Sequence, residues 1–197
     1  MTIEDQTTKE KILESALRLF SQKGYLGATT REIAKEAGIA EVTLFRHFPS
    51  KEKLLEGVLK NYSFLPELKH LIPEIYHLKY EDALFLIIRT FLKTLFLRKD
   101  ISKIMKTEIL MHPEKVTGFF QPFLDEFYDT IASYFLEMQK RGIIREFDAR
   151  LAGRALLGMI FSYFEVEEFI YQRQSKIEDY EKPIKEFIDI FVRGTLK

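Results

Sequence analysis

Apolar residues recur every three or four positions along most of this chain, which is the spacing that gives an α-helix one buried face. The pattern predicts about nine helices and no β-strand, and therefore an all-α protein. Residues 113–141 carry the longest apolar stripe. Residues 81–99 are apolar on nearly every side, which predicts a helix buried at the centre of a bundle.

Two prolines mark the region where the chain is expected to pass from one domain to the next. Pro66 and Pro73 interrupt residues 62–78, and we interpret this segment as a broken helix or a connection. We place the domain boundary just before it. The sequence therefore predicts a small head in residues 1–60 and a larger helical body in residues 61–197.

The clearest local signal is the stretch TTREIAKEAGIAEVTLFRHFPSK, residues 29–51. Thr29 and Glu32 have the spacing of a capping box, which predicts the start of a short helix. Gly38 allows a sharp turn, and a second short helix is expected over residues 41–47. Two short helices joined by a glycine turn indicate a helix-turn-helix.

The second of these helices carries side chains that suit nucleic acid. Thr43, Arg46 and His47 offer a hydroxyl, a guanidinium and an imidazole, which can bind phosphate oxygens or base edges. Leu44 and Phe48 are expected to anchor the helix to those behind it. The helix-turn-helix would then present a polar, solvent-facing side to a duplex.

The residues TTREIAKEAGIAEVTLFRHFPSKEKLL are similar to the DNA-binding segment of TetR-type transcriptional regulators, the TetR/AcrR family. The similarity includes the Thr-Thr opening, the Ala-x-x-Ala-Gly turn, the Thr-Leu-aromatic-x-His-Phe helix and the Ser-Lys start of the next helix. It is strong over residues 9–60. The order of the later helices also resembles the family, which implies a DNA-binding head followed by an effector-binding and dimerisation domain.

The resemblance assigns roles to individual residues. Thr30 and Lys51 resemble positions that contact phosphates, and Arg31 resembles a residue that reaches base edges. Positions 41–43 and Arg46 correspond to the groove-facing side of the second short helix. The complete set of predicted DNA-binding residues is Thr30, Arg31, Glu41, Val42, Thr43, Phe45, Arg46, His47 and Lys51.

Three residues differ from the commoner pattern of the family. Ala40 stands where a capping serine is frequent, so the helix loses a side-chain cap worth roughly 1 kcal/mol. Glu41 stands where lysine is common, and its carboxylate would repel a phosphate but could accept a hydrogen bond from a cytosine amino group. Phe45 replaces a frequent tyrosine. Its ring is expected either to touch a thymine methyl or to pack into the core.

For the body, the resemblance implies a ligand chamber among the helices that follow the head. An aromatic lining that includes methionine would suit an apolar or acyl-chain effector. Ordinary core packing is the alternative interpretation for each of these side chains. The candidate effector residues are Phe91, Leu95, Phe120, Phe123, Phe127, Met159 and Tyr163.

Composition and the absence of certain motifs argue against several other classes of function. Thirty basic and thirty acidic residues give a formal net charge of zero, so any DNA-facing positive patch must be local. The chain has no cysteine, no phosphate-binding loop and no arrangement of nucleophile and base. We therefore predict no enzymatic activity, no metal site and no cofactor. The first residues, MTIEDQTTKEK, lack the apolar run of a signal peptide, so we expect a cytoplasmic protein without a membrane partner.

The resulting hypothesis is a homodimeric repressor that binds double-stranded DNA at a palindromic operator and is released by a hydrophobic small-molecule effector. The eighth and ninth predicted helices, which begin near Asp148 and Tyr180, are expected to pair with those of a second subunit. The alternative is a helical binding protein for hydrophobic ligands whose head no longer binds DNA specifically. Residues 1–60 carry ten basic and nine acidic residues, and this nearly neutral head, together with Glu41, keeps the alternative open.

Overall fold

The computed structural model describes residues 3–111 and 113–197, with side chains outside 3–6, 109, 111, 115–117 and 119. Ten α-helices make up most of these residues, and the described chain contains no β-strand, which confirms the predicted all-α class. None of these helices is both long and apolar enough to cross a bilayer. The helices are α1 (Ile3–Gly27), α2 (Thr30–Glu36), α3 (Glu41–His47), α4 (Lys51–Tyr62), α5 (Leu65–Ile75), α6 (Tyr80–Leu97), α7 (Lys99–Met111), α8 (Pro113–Lys140), α9 (Ala149–Glu165) and α10 (Glu181–Thr195).

The segment with two prolines forms a helix, α5, instead of a connection. Pro66 lies in its first turn, where a missing backbone N–H removes no intrahelical hydrogen bond. Pro73 lies inside the helix, near its end. The eighth and ninth predicted helices therefore correspond to α9 and α10. A π-helical turn, Val166–Ile170, and a 3-10 turn, Ile177–Tyr180, lie between these two helices.

Gly24 interrupts α1. The backbone there has φ 73° and ψ 167°, which breaks the regular geometry, and a further helical turn continues to Gly27. Glycine adopts a positive φ without the steric cost that a Cβ would add. The residue therefore acts as a kink within α1.

The described residues form two compact units, and the first consists of Met1–Ser63 with Arg98–Leu124. Within it, α1 packs against α2, α4 and α7, and α2 packs against α3. The predicted head, residues 1–60, lies within this unit, but the unit also includes residues 98–124. The proposed boundary between a DNA-binding and an effector-binding domain at residue 60 therefore stays a prediction. Its fully buried apolar side chains include Ile12, Ala16, Ile33, Leu44, Leu54, Leu55, Val58 and Leu59.

The second compact unit consists of Phe64–Leu97 with Asp125–Lys197. Helix α6 lies at its centre and packs against α5, α9 and α10. Eight of its residues are buried, as the nearly all-round apolar pattern predicted. Its fully buried apolar side chains include Leu84, Ile88, Leu92, Ile131, Phe135, Leu156, Ile160 and Phe164.

Candidate nucleic-acid interface

Helix α2 begins where the capping-box pattern predicted. Thr29 Oγ1 accepts a hydrogen bond from the Glu32 backbone N–H at 3.2 Å, and Glu32 Oε2 accepts one from the Thr29 backbone N–H at 3.0 Å. Lys23 donates to the other carboxylate oxygen of Glu32 at 2.7 Å. The bond from Lys23, followed by those from Thr29, lowers the pKa of Glu32 to about 2. The cap is therefore ionised throughout the physiological pH range.

The turn and the second short helix also follow the sequence pattern. Gly38 has a positive φ of 70°, which supports the turn between α2 and α3. Ala40 precedes α3 and contributes no side-chain cap, as predicted. Leu44 is fully buried and Phe48 is 5% exposed, so both anchor the helix as expected. Because α3 is held from one side only, its opposite side is available to a partner.

Three side chains form the exposed side of α3. Val42 is 77% exposed and Phe45 is 41% exposed. Arg46 is also exposed, while Thr43 and His47 are half-buried. Of the two alternatives for Phe45, the surface position is therefore the one that the structure has. An aromatic ring, a branched apolar side chain and a guanidinium together can contact both the methyl groups and the polar edges of bases.

Two of the predicted DNA-binding residues bind each other. The Thr30 hydroxyl donates a hydrogen bond to Glu41 Oε1 at 2.7 Å. Thr30 is the first residue of α2 and Glu41 the first residue of α3, so the bond links the starts of the two helices. From the sequence, each is predicted to make a separate contact to DNA. Glu41 therefore has a structural partner in addition to its predicted role in base recognition.

Lys51, the first residue of α4, is half-buried against an aromatic ring. Its Nζ lies 4.6 Å from the centroid of the Tyr25 ring and 3.4 Å from the Leu26 carbonyl oxygen, to which it donates. Burial lowers the pKa of Lys51, while the carboxylates of Glu108 and Glu52 act in the opposite direction. The only sign in the sequence that Tyr25 supports this lysine is that an aromatic residue directly follows Gly24.

The predicted DNA-binding residues all belong to the first compact unit, on α2, α3 and the first residue of α4. Arg31 on α2 is exposed, like Arg46 on α3. The set combines hydroxyl and guanidinium donors, which suit phosphates, with exposed side chains that suit base edges. The arrangement is that of a nucleic-acid interface, and the role of each residue in it remains a prediction.

The predicted effector residues do not all belong to one compact unit. Phe120 and Phe123 are buried in the first unit. The second unit contains two further buried side chains and three that are half-buried. These five are Phe91, Leu95, Phe127, Met159 and Tyr163.

Ring contacts organise part of this set within the second unit. The centroid of the Phe64 ring lies 5.1 Å from that of Phe91 and 6.2 Å from that of Phe127. Tyr163 instead makes an edge contact with Tyr180 at 5.5 Å. Phe64 is not among the predicted effector residues, because it lies in the proline-containing segment that the sequence predicts to be a broken helix or a connection. Whether these residues bind an effector remains a prediction.

Two acidic residues that follow α9 are used inside the fold. Glu167 forms an ion pair with Arg173 at 2.9 Å. Glu168 Oε1 accepts hydrogen bonds from the Ser175 backbone N–H at 3.1 Å and from the Tyr180 hydroxyl at 3.3 Å. Among the side chains that the structure describes, no group of three or more His, Cys, Asp or Glu residues is placed to hold a metal ion.

Comparison with known proteins gives a family match over the head. Residues 12–58 match the sequence model of the bacterial regulatory proteins of the tetR family. An uncharacterized HTH-type transcriptional regulator, YvkB of Bacillus subtilis, is 28% identical over 187 residues, which cover 95% of this chain and 96% of that protein. The biofilm operon icaADBC HTH-type negative transcriptional regulator IcaR of Staphylococcus aureus is 44% identical over 52 residues, 26% of this chain and 28% of IcaR.

A solved structure with the same fold extends the likeness beyond the head. The transcriptional regulator FadR from Bacillus subtilis, in complex with stearoyl-CoA, has a TM-score of 0.73 and 19% sequence identity. The match covers 91% of this chain and 96% of that one. At this identity the likeness concerns the fold, and it includes the helices of both compact units.

Proposed function

We propose that this chain, a transcriptional regulator of the TetR family, is a homodimeric repressor that binds a palindromic operator. A hydrophobic small molecule releases it from the DNA. The exposed side of α3 carries this proposal. Val42, Phe45 and Arg46 point away from the anchor Leu44, and a duplex would cover them. The relative IcaR is a negative regulator, which supports repression as the outcome.

An exposed stripe on the last two helices supports the homodimer. Leu151 is 62% exposed on α9, and Ala155, Gly158 and Ser162 follow it as exposed residues at helical spacing. A Cβ built on Gly158 would meet no atom within 4 Å, so the backbone there is open to close approach. Ile190 on α10 is also 62% exposed. A second copy of the chain, packed through α9 and α10, would cover both helices.

The two-fold symmetry of such a dimer explains why we expect a palindrome. A symmetric pair of recognition helices reads the same sequence on opposite strands, in half-sites about 34 Å apart along the duplex. The nearly neutral charge of the chain does not oppose this, because Arg31 and Arg46 are exposed within the helix-turn-helix itself. Local donors, not net charge, would then supply the phosphate and base contacts.

The test of DNA binding is the selection of duplexes from a random-sequence pool, followed by footprinting and a salt series. We expect a protected palindrome. The logarithm of the binding constant should also fall linearly with the logarithm of the salt concentration. Replacing Lys51 with alanine should reduce the slope of that fall by about one, because one phosphate contact is lost. Failure to select any palindrome would reject the proposal.

A second variant distinguishes base recognition from phosphate binding in the same experiment. Glu41→Gln removes the carboxylate but leaves an acceptor for the Thr30 hydroxyl. We expect it to change the bases selected in each half-site while the salt slope stays close to that of the unaltered protein. A slope that changes as much as in Lys51→Ala would assign Glu41 to the phosphate contacts instead.

We further propose that the effector carries a long acyl chain. The apolar residues around Phe64, Phe91 and Phe127 suit such a chain, and FadR, which has the same fold, was solved with stearoyl-CoA. Stearoyl-CoA should raise the Kd for the selected operator at least about tenfold, since an effector must bind the DNA-free state more tightly than the DNA-bound state.

Coenzyme A without the acyl chain is the matched control for that measurement, and it should leave the Kd for the operator unchanged. If both compounds act alike, or neither acts, the acyl-chain effector is rejected while the DNA-binding proposal stands. A chain that bound stearoyl-CoA but selected no DNA would be the alternative considered above, a ligand-binding protein whose head does not recognise DNA.

A further inference from the structure

A buried carboxylate on α7 has no explanation in the contacts described so far. Glu108 is 2% exposed. Its Oε1 accepts a hydrogen bond from the Tyr25 backbone N–H at 2.6 Å, and its Oε2 makes no hydrogen bond to any described residue. A buried polar side chain with so few partners destabilises a fold relative to an apolar side chain of similar size. We therefore look for the role of Glu108 in the group that it binds, the Tyr25 backbone N–H.

Glu108 holds the kink in α1. Tyr25 follows Gly24, where the backbone has φ 73°, and the kink leaves the Tyr25 N–H directed at the carboxylate. A Cβ on Gly24 would lie 3.1 Å from Glu108 Oε1, so the close approach as well as the positive φ favours glycine here. The last turn of α1, which leads directly into α2, is thus positioned by a side chain that is 83 residues away in sequence.

The same tyrosine also connects to α4. Its hydroxyl donates a hydrogen bond to Glu52 at 2.9 Å, and the Lys51 ammonium lies over its ring. The carboxylate of Glu108 attracts Lys51 as well. Tyr25 is therefore held by α7 through its backbone and by α4 through its side chain, at the point where the chain enters the helix-turn-helix.

Helix α7 is tied by the chain to the helix that carries two proposed effector residues. Only Arg98 separates the end of α6, at Leu97, from the start of α7, at Lys99. Helix α6 contains Phe91 and Leu95. The helix that carries Glu108 therefore directly follows, along the chain, the helix that carries these two residues.

We infer that Glu108 is the positioning residue through which α7 sets the helix-turn-helix in its DNA-binding arrangement. Movement of α7 withdraws the carboxylate from the Tyr25 N–H and releases the last turn of α1, the start of α2 and Lys51 together. This inference rests on the proposed function, since it concerns how the head is controlled.

Four variants test the inference. Glu108→Ala removes the acceptor. Glu108→Met also removes it but fills the space of the side chain, so that a folded variant without the acceptor can be studied. Glu108→Gln keeps a side-chain oxygen that can accept from the Tyr25 N–H. Ser21→Ala is the matched control, because it removes a different polar contact between α1 and α7, the 2.9 Å bond from Ser21 to Asp100.

Three quantities are measured: hydrogen exchange at the Tyr25 amide, the Kd for the selected operator, and the ratio of that Kd with and without stearoyl-CoA. In Glu108→Ala and Glu108→Met we expect exchange and Kd to rise at least about tenfold and the ratio to fall towards one. Glu108→Gln and Ser21→Ala should stay within about threefold of the unaltered protein on all three. A purely structural residue would change stability but not the ratio.

The inference is overturned if a folded Glu108→Met keeps its Tyr25 exchange and operator Kd within about threefold of the unaltered protein. If the unaltered protein selects no operator, the proposed function fails, and the exchange measurement alone then decides. Fast Tyr25 exchange in Glu108→Met, with slow exchange in Glu108→Gln, would still identify Glu108 as the residue that positions the kink. Equal exchange in the two would overturn that too.

Discussion

Replacing Ile190 with glutamate is expected to make the protein monomeric and to weaken operator binding roughly a hundredfold, because the avidity of two linked heads is lost. Ile190 is 62% exposed on α10, and the proposed dimer interface would bury it. A carboxylate in its place would have to be desolvated without a partner on association. Sedimentation equilibrium measures the first effect and a mobility-shift titration the second.

The control for this substitution is Leu136→Glu. Leu136 is 56% exposed and also belongs to the second compact unit, but it lies on α8 and not on the two proposed interface helices. The same change of charge on a similarly exposed leucine should leave the dimer and the operator affinity intact. A dimer that survives Ile190→Glu, or one that both substitutions dissociate, would contradict pairing through α9 and α10.

Replacing Leu44 with alanine is expected to destabilise the recognition helix by roughly 2–5 kcal/mol, the cost of a cavity at a fully buried leucine. Leu44 is the buried residue of α3 and is 0% exposed. Ala40 provides no side-chain cap that could offset this loss. Hydrogen exchange at the Phe48 amide, which donates to the Leu44 carbonyl at 2.8 Å, should accelerate at least about tenfold.

The neighbouring substitution Val42→Ala separates stability from recognition. Val42 is 77% exposed, so its loss should change the stability of α3 by no more than about 0.5 kcal/mol. It should nevertheless alter the bases preferred in the operator, because Val42 lies on the exposed side of the helix. Slow Phe48 exchange in Leu44→Ala would show that α3 is held by contacts other than this leucine.

The features predicted correctly from sequence are those that depend on residues a few positions apart. The Thr29–Glu32 capping box and the glycine turn each follow from local backbone chemistry. The helical spacing of apolar residues likewise predicted the burial of Leu44. Local rules were less reliable at Pro66, where proline starts a helix that the sequence suggested was broken.

Other features depend on residues that are distant in sequence. The Thr30–Glu41 bond depends on how α2 and α3 cross, and the Glu108–Tyr25 bond depends on α7 packing beside α1. The inclusion of residues 98–124 in the compact unit of the head has the same origin. No spacing rule encodes such contacts, because each is chosen by the packing of whole helices.

The sequence by itself therefore determined an all-α chain with a helix-turn-helix of the TetR type, because periodicity, capping residues and turn glycines act over a few residues. The tertiary structure alone decided that Phe45 lies at the surface, that Glu41 is bound by Thr30 and that Glu108 accepts a hydrogen bond from the Tyr25 N–H beside the kink at Gly24. These outcomes required the helices to be packed, since a side chain acquires its partners only when distant segments are brought within hydrogen-bonding distance.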